Sequence, residues 1–393
     1  MPDNRWIVLA VLVFARTSIG FQFISIAALI PQLKESLGLD YTQIGMLLGL
    51  FMLTSVFLSV PSGMMASRLG DRTALWIGLA SLVAGSIVLG LSSTFSMALA
   101  GRLIGGIGAV FTTVTAAKLL IDWFSGREMS TAMSLLGVTW PIGIALGLSL
   151  LPMIEIQTGW RAAVLITAFL PGLALLLTIA VPIVPPARSE QPKDAAPAVL
   201  WSIKRREFWT IIAGGAAWPL MSAGGYVVFT SYAPGLLISQ GETPVSAGLT
   251  ISLLSWLFIV TIPFGGFLAD RTGRNDLMFW GGCLASAAAV AMVPVGGPVV
   301  LWVILISLMG FTVGPVMALP GEVLTPASRS TGVGLYYTLY YLGTTSLPAL
   351  GGWLLEVTGA APAVIWFSAT CLVVAPFSLL ALRLLQRRWG LFP

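Results

Sequence analysis

The chain of 393 residues has no histidine, two cysteines, and only 9% charged side chains. Each shortage excludes something. Without histidine there is no imidazole base and no imidazole metal ligand. Cys283 and Cys371 both fall inside apolar runs, so a disulfide framework and a zinc site are unsupported. A soluble domain carries about 25% charged residues, and this chain has too few to cover an aqueous surface. The basic residues stand at segment ends and form no stripe, so the net charge of +5 does not point to nucleic acid. Nor is any acidic residue found at mid-depth in an apolar run.

What is present is apolar. Hydrophobic residues make up 57% of the chain, and its mean hydropathy is +0.95. The 14 Trp and 43 Gly suit membrane helices, where Gly is frequent and Trp gathers at the interfaces. A spanning helix needs about 20 apolar residues, and twelve such runs are found, at about 6–30, 42–66, 73–93, 96–121, 130–154, 161–184, 208–238, 246–268, 276–294, 298–322, 330–356 and 362–386. The first run is long enough to span and shows no cleavage site, so it is read as a retained span. The fold expected is an all-α integral membrane protein with twelve transmembrane helices in two pseudo-symmetric six-helix bundles. The bundles cover 1–184 and 208–393, and the Pro- and charge-rich stretch 185–207 links them.

The connections alternate in charge. One side receives most of the basic residues, among them Arg68, Arg72, Lys204, Arg205, Arg206, Arg387 and Arg388. The other receives Lys34 and Arg161. The positive-inside rule then places both termini in the cytoplasm. A bacterial cytoplasmic membrane is the expected location.

The halves repeat. "SGMMASRLGDR" (62–72) reappears as "GGFLADRTGRN" (265–275), each residue 203 positions on. "EIQTGW" (155–160) is echoed by "EVTGAA" (356–361). Internal repeats of six spans indicate a transporter with its site near the midplane between the halves. On these motifs the chain resembles the major facilitator superfamily over essentially its whole length. "GFLADRTGR", with Gly266, Asp270, Arg271 and Arg274, is similar to the family's loop signature. Gly63 and Arg68 are its first-half counterparts. "GRLIGGIGAV" (101–110), which contains Arg102, resembles the family's span-4 motif, and "WFSGREMSTAMSL" (123–135) its entry to span 5. One departure stands out. Ser67 occupies the place of Asp270, and an acid, Asp71, comes four residues later. The first-half loop therefore lacks the acid for the family's interdomain ion pair, and the gate is expected to rest on Asp270 and Arg271.

Three cations lie within spans: Arg16, Arg102 and Lys118. Arg16 is about 15 Å into the first span, near the middle of a ~30 Å hydrocarbon core. An arginine there costs at least ~2.5 kcal/mol by insertion scales. Helical spacing sets Ile19, Gly20, Phe23 and Ala27 on its face. Gly20 would leave room and Phe23 would supply a wall. Either Arg16 bonds helix carbonyls, or an anionic substrate is its counter-ion. The lack of mid-depth acids favours the substrate, because a guanidinium is always charged and grips a carboxylate by two parallel bonds. A span-1 arginine followed by "IPQL" (30–33) also resembles the cyanate-permease-like and organic-anion branches of the superfamily.

Arg102 is read as a packing element or an outer-gate group. Lys118 stands four residues before Asp122, the spacing of a local ion pair, or serves as a second basic contact for substrate. "YYTLYYLGTT" (336–345) sets Tyr336 and Tyr340 on one face, either to offer hydroxyls to an anion or to form an interfacial aromatic belt. Tyr226 and Thr230 are read as cavity-lining. Pro141 and Pro348 are expected to bend their helices. Glu322, the nearest candidate for a proton carrier, is expected instead to form a helix-end or gate ion pair with Arg329.

Amides are scarce. Asn occurs only at Asn4 and Asn275, and Gln22 is the only deep glutamine, so a sugar is not the expected cargo. The expectation is a carrier of a small organic or inorganic anion, acting as a monomer in the bilayer, with no cofactor and no nucleic-acid partner. A polyspecific efflux carrier of amphipathic compounds is the alternative. An enzyme or receptor is not supported, since no nucleophile–base constellation and no sizeable soluble domain are present.

Overall fold

The computed structural model describes residues 5–124, 135–181, 204–324 and 329–390. Among these every regular element is helical. Six long helices come from the first half: α1 (Arg5–Ala28), α2 (Tyr41–Leu69), α3 (Asp71–Gly90), α4 (Phe95–Phe124), α5 (Leu135–Thr158) and α6 (Trp160–Ala180). Six follow in the second: α7 (Arg205–Ser239), α8 (Pro244–Thr272), α9 (Asn275–Met292), α10, α11 (Arg329–Thr358) and α12 (Ala361–Trp389). α10 runs through Val299–Ile306, a 3₁₀ turn at Ser307–Met309, and Gly310–Val323.

Among the described residues ten helices are long and apolar enough to cross a membrane by length and composition. The remaining two of the twelve expected are α9 and α11. α9 is short and has Asp276 in its first turn, and the tyrosines and threonines of α11 lower its hydropathy. The expected spans coincide with the helices to within a few residues. The start of the fifth, 130–134, lies outside the described residues.

Turn chemistry explains the breaks. Asp40 caps α2, its side chain accepting from Gln43 N at 2.6 Å while Gln43 Oε1 accepts from Asp40 N at 3.1 Å. Gly70 (φ 87°) and Gly273 (φ 64°) stand at repeat-equivalent turns in a conformation that side chains disfavour.

The chain forms two compact units, Met1–Arg188 with Leu237–Trp256, and Ser189–Leu236 with Leu257–Pro393. In the first unit, backbones meet at glycines. A Cβ on Gly143 of α5 would fall 2.4 Å from the Thr17 carbonyl oxygen of α1, and one on Gly85 of α3 would fall 2.5 Å from Gly105 N of α4. Membrane helices gain little from burying apolar surface against one another, so such close approach supplies much of their adhesion. The first turns of α8 join this unit. A Cβ on Gly248 would fall 2.3 Å from the Leu148 carbonyl oxygen, and Ser149 Oγ donates to Ser252 Oγ at 2.9 Å.

Enlarging Gly143 tests this packing. Gly143→Leu should drive α1 and α5 apart at a cost of about 1–3 kcal/mol or more, read as a lower thermal unfolding midpoint in detergent. Leu150→Ala, on an exposed part of α5, should leave the midpoint nearly unchanged.

Candidate substrate-binding site

Arg16 stands mid-way along α1 and is half-buried. Its Nη1 donates to the carbonyl of Leu136 in α5. The same carbonyl accepts from Thr139 Oγ1 at 2.7 Å. α5 is interrupted here, with a turn at Val138 and regular helix resuming at Thr139. Pro141, which has no N–H to give the preceding turn, accounts for the break. The proline expected to bend the helix thus lies in its first regular turn, where it leaves the Gly137 carbonyl, next to the one Arg16 meets, without its helical donor.

The neighbours of Arg16 differ from expectation. Gly20 leaves no room for a ligand, since a Cβ on it would fall 2.6 Å from the Trp140 carbonyl oxygen and 3.2 Å from Gly143 Cα. It is a helix-crossing glycine. Phe23 is 0% exposed and packs on Trp140 at 5.0 Å and on Phe51 at 5.9 Å between ring centroids. It is core, with no face left for a substrate.

Like Arg16, Arg102 bonds helix carbonyls. It is 1% exposed. Nε donates to Leu47 O of α2 at 2.8 Å, Nη1 to Gln22 O at 3.0 Å and Nη2 to Phe23 O of α1 at 3.1 Å. The guanidinium also lies 4.3 Å from the centroid of the Phe51 ring. Carbonyl dipoles and a π face surround the charge, and three helices are joined. The packing reading therefore holds for Arg102. Gln22 Nε2 donates to Leu82 O at 2.7 Å and to Ser86, and Ser86 Oγ meets Thr167 Oγ1 at 2.8 Å, tying α1 to α3 and α6.

Lys118 pairs with Asp71 at the start of α3, at 2.6 Å. The expected partner Asp122 has its side chain outside the described residues, so the observed link runs between helices. A cation held by a carboxylate is not poised to hold an anion.

In the second unit the distinctive element is α7. Between Leu220 and Val227 it winds as a π-helix, a form often found at functional sites. Pro219 precedes the segment, and Gly224 and Gly225 let it press on Cys371 and Leu372 of α12. Ser368 Oγ donates to Gly225 O at 3.0 Å. Trp218, just before the π segment, meets the tyrosines of α11: Tyr340 at 4.1 Å and Tyr336 at 5.4 Å, both stacked, and Tyr337 edge-on at 5.0 Å. Tyr336 is buried and donates its hydroxyl to Val316 O at 2.8 Å, which makes it a brace between α11 and α10. Thr230 also spends its hydroxyl internally, on Tyr226 O at 2.8 Å. Tyr226 is buried against Phe258 at 4.9 Å. Tyr340 is half-buried.

Of the motif residues, Arg271 and Arg274 are exposed and Gly266 is half-buried beside Gly314. Gly63 and the side chains of Arg68 and Asp270 lie outside the description. Glu322 pairs with Arg383 of α12, where Arg329 had been expected. Arg383 Nε donates to Asp276 Oδ2 at 2.8 Å and Nη1 to Gln386 Oε1 at 2.9 Å. The side chain of Arg329 is outside the description.

The family model for the Major Facilitator Superfamily matches residues 12–321. The chain belongs to this superfamily. Its fold agrees with that of a solved bacterial homolog of the human lysosomal transporter Spinster, in an inward-facing, unoccupied conformation. The TM-score is 0.75 at 16% identity, covering 100% of this chain and 98% of that one. Among curated relatives, a chloramphenicol resistance protein of Pseudomonas aeruginosa is 27% identical over 66% of this chain and 62% of its own length. A probable L-galactonate transporter of Escherichia coli is 29% identical over 33% of this chain and 28% of its own. This superfamily member thus spans less than two thirds of either relative's length.

Trp218 and Arg383 were missed in the sequence. The run "AWPLMSAGG" (217–225) held a clue to the first, since a proline and paired glycines inside a span mark an irregular helix. Nothing local marks Arg383, because its partners are distant in the chain.

Arg102→Met should lose three interhelical bonds and destabilise the protein by roughly 2–5 kcal/mol. Arg102→Lys should not restore stability, since one ammonium cannot serve three separated carbonyls. Thermal unfolding of the two variants side by side checks both.

Proposed function

We propose that this superfamily member carries a small organic anion by alternating access, with Arg16 as the group that holds the anion. The observation that carries this is the contrast between two arginines of the first unit. Arg102 is fully enclosed by carbonyls and rings. Arg16, half-buried at mid-helix, meets a carbonyl at an interrupted turn. An arginine kept at that depth is costly unless it serves a ligand or a pathway, and its forked donors suit a carboxylate. The name of the Escherichia coli relative points to a hydroxylated carboxylate, the same chemical class. We place the transporter in a bacterial cytoplasmic membrane, as a monomer with cytoplasmic termini.

The efflux alternative has its own support. The aromatic group around Trp218 suits flat amphipathic molecules, and the Pseudomonas aeruginosa relative is named for resistance to chloramphenicol.

Thermal unfolding against a panel of small carboxylates, cyanate, nitrate, sugars and lipophilic cations separates the two. A carboxylate at 100 times its Kd should add about 2.7 kcal/mol of stability. Arg16→Ala should abolish that response while remaining folded. A response confined to lipophilic compounds, and retained in Arg16→Ala, would establish the efflux reading instead.

Alternating access has a separate check. The hydroxyls of Ser149 and Ser252 are 2.9 Å apart, so Ser149→Cys with Ser252→Cys should cross-link on oxidation. The cross-link should stop uptake into vesicles, and reduction should restore it. Unimpaired uptake with the bond formed would show that this contact stays closed throughout the cycle.

A further inference from the structure

At one end of the second unit, two adjacent helices bring five cations together. α7 opens with Lys204, Arg205 and Arg206, and α12 closes with Arg387 and Arg388. All five are exposed. The two helices run antiparallel in close contact, since Gly224 packs on Cys371 whereas Gly214, nearer the start of α7, packs on Leu382. Ser378 Oγ of α12 also donates to Ala213 O of α7, at 2.6 Å. The start of α7 is therefore beside the end of α12.

The neighbouring acids do not neutralise this cluster. Glu207 is 1% exposed and turned inward, with its Oε2 accepting from Lys204 N at 2.9 Å. Asp276 and Glu322 are both engaged by Arg383, one turn before Arg387. Among the described residues none of the five cations forms an ion pair. The positive end of the α7 dipole adds to their field. Next to the charges the helix flanks are apolar and open, with Trp209 of α7 and Leu380 and Leu384 of α12 exposed. A charged patch over an exposed apolar flank is complementary to a molecule with an anionic head and hydrocarbon chains. A soluble anion would use only the upper part, and a neutral lipid only the lower.

We propose that the start of α7 and the end of α12 form a binding site for an anionic phospholipid. Arg205, Arg206, Arg387 and Arg388 hold the phosphate head, and the flank around Trp209 and Leu384 receives its chains. Basic clusters at the membrane face of adjacent spans are suited to acidic headgroups, and tryptophan anchors at the same level. The lipid bridges two helices whose own end-charges repel, so its binding stabilises their pairing. This site is separate from Arg16 and does not depend on what the protein carries.

The test uses the full chain, purified in neutral detergent, with its unfolding midpoint followed as phosphatidylglycerol is titrated. The expected result is a saturable rise that phosphatidylcholine does not reproduce. The combined Arg205→Gln, Arg206→Gln, Arg387→Gln and Arg388→Gln variant should need about tenfold more phosphatidylglycerol, or fail to respond. The four corresponding Lys substitutions should keep the response. An undiminished response in the Gln variant, or an equal one to phosphatidylcholine, overturns the proposal. So does an equal rise with glycerol phosphate or inorganic phosphate alone, which would mark a soluble-anion site. If the Gln variant does not fold, the unaltered protein still decides. Raising salt from about 0.05 to about 0.5 M should weaken the phosphatidylglycerol response, and a salt-independent response overturns the proposal.

Discussion

Helices in a bilayer are not pushed together by water, because lipid tails are as apolar as leucine. What holds them is close contact and internal pairing of polar groups. The first unit meets this constraint in two ways. Glycines at the crossings of α1 with α5 and of α3 with α4 bring backbones within touching distance. Where polar side chains enter, they bridge helices. Gln22 ties α1 to α3 and onward to α6, and Arg102 joins α4 to α1 and α2. The irregular parts of the second unit follow the same logic, since Ser368 takes up a carbonyl of the π segment and Tyr336 one of α10.

Much of the fold was legible in the sequence. Hydropathy over a window and turn glycines are local signals, and they place all twelve helices. The repeat of the 62–72 stretch at 265–275 is equally local. Partner choice is not. Lys118 reaches Asp71 across a helix boundary, and Glu322 reaches Arg383 of α12. Spacing along one helix suggested Asp122, and nearness along the chain suggested Arg329, whose side chains lie outside the described residues. Helical phase set Gly20 and Phe23 beside Arg16 correctly, yet it could not say that α5 already occupies that face. The sequence left open whether tyrosine and threonine hydroxyls serve a ligand or the packing. In a low-dielectric interior an unpaired hydroxyl is costly, and Tyr336 and Thr230 spend theirs on backbone.

The two halves share a repeated turn that differs in the sign of one charge. Where the first repeat has Asp71, the second has Arg274. α3 is bound to α4 by an acid on α3 and a cation on α4. In the second half the cation comes from α12, and the acids from α9 and α10. The repeat therefore conserves a demand, that helix ends be tied by charge, without conserving the residues that meet it.

The clamp at Arg102 also has a direction in time. Its acceptors lie 80, 79 and 55 residues earlier in the chain. At about 5–20 residues per second, α1 is made roughly 4–16 s before the arginine that binds it. The carbonyls of Gln22, Phe23 and Leu47 are thus present when the cation arrives. Had the same residues been arranged in the reverse order, a lone guanidinium would have had to wait in the hydrocarbon for its partners. Chain order spares the protein that intermediate, so a permutation that moved α1 behind α4 should be harder to insert than its finished contacts alone would suggest.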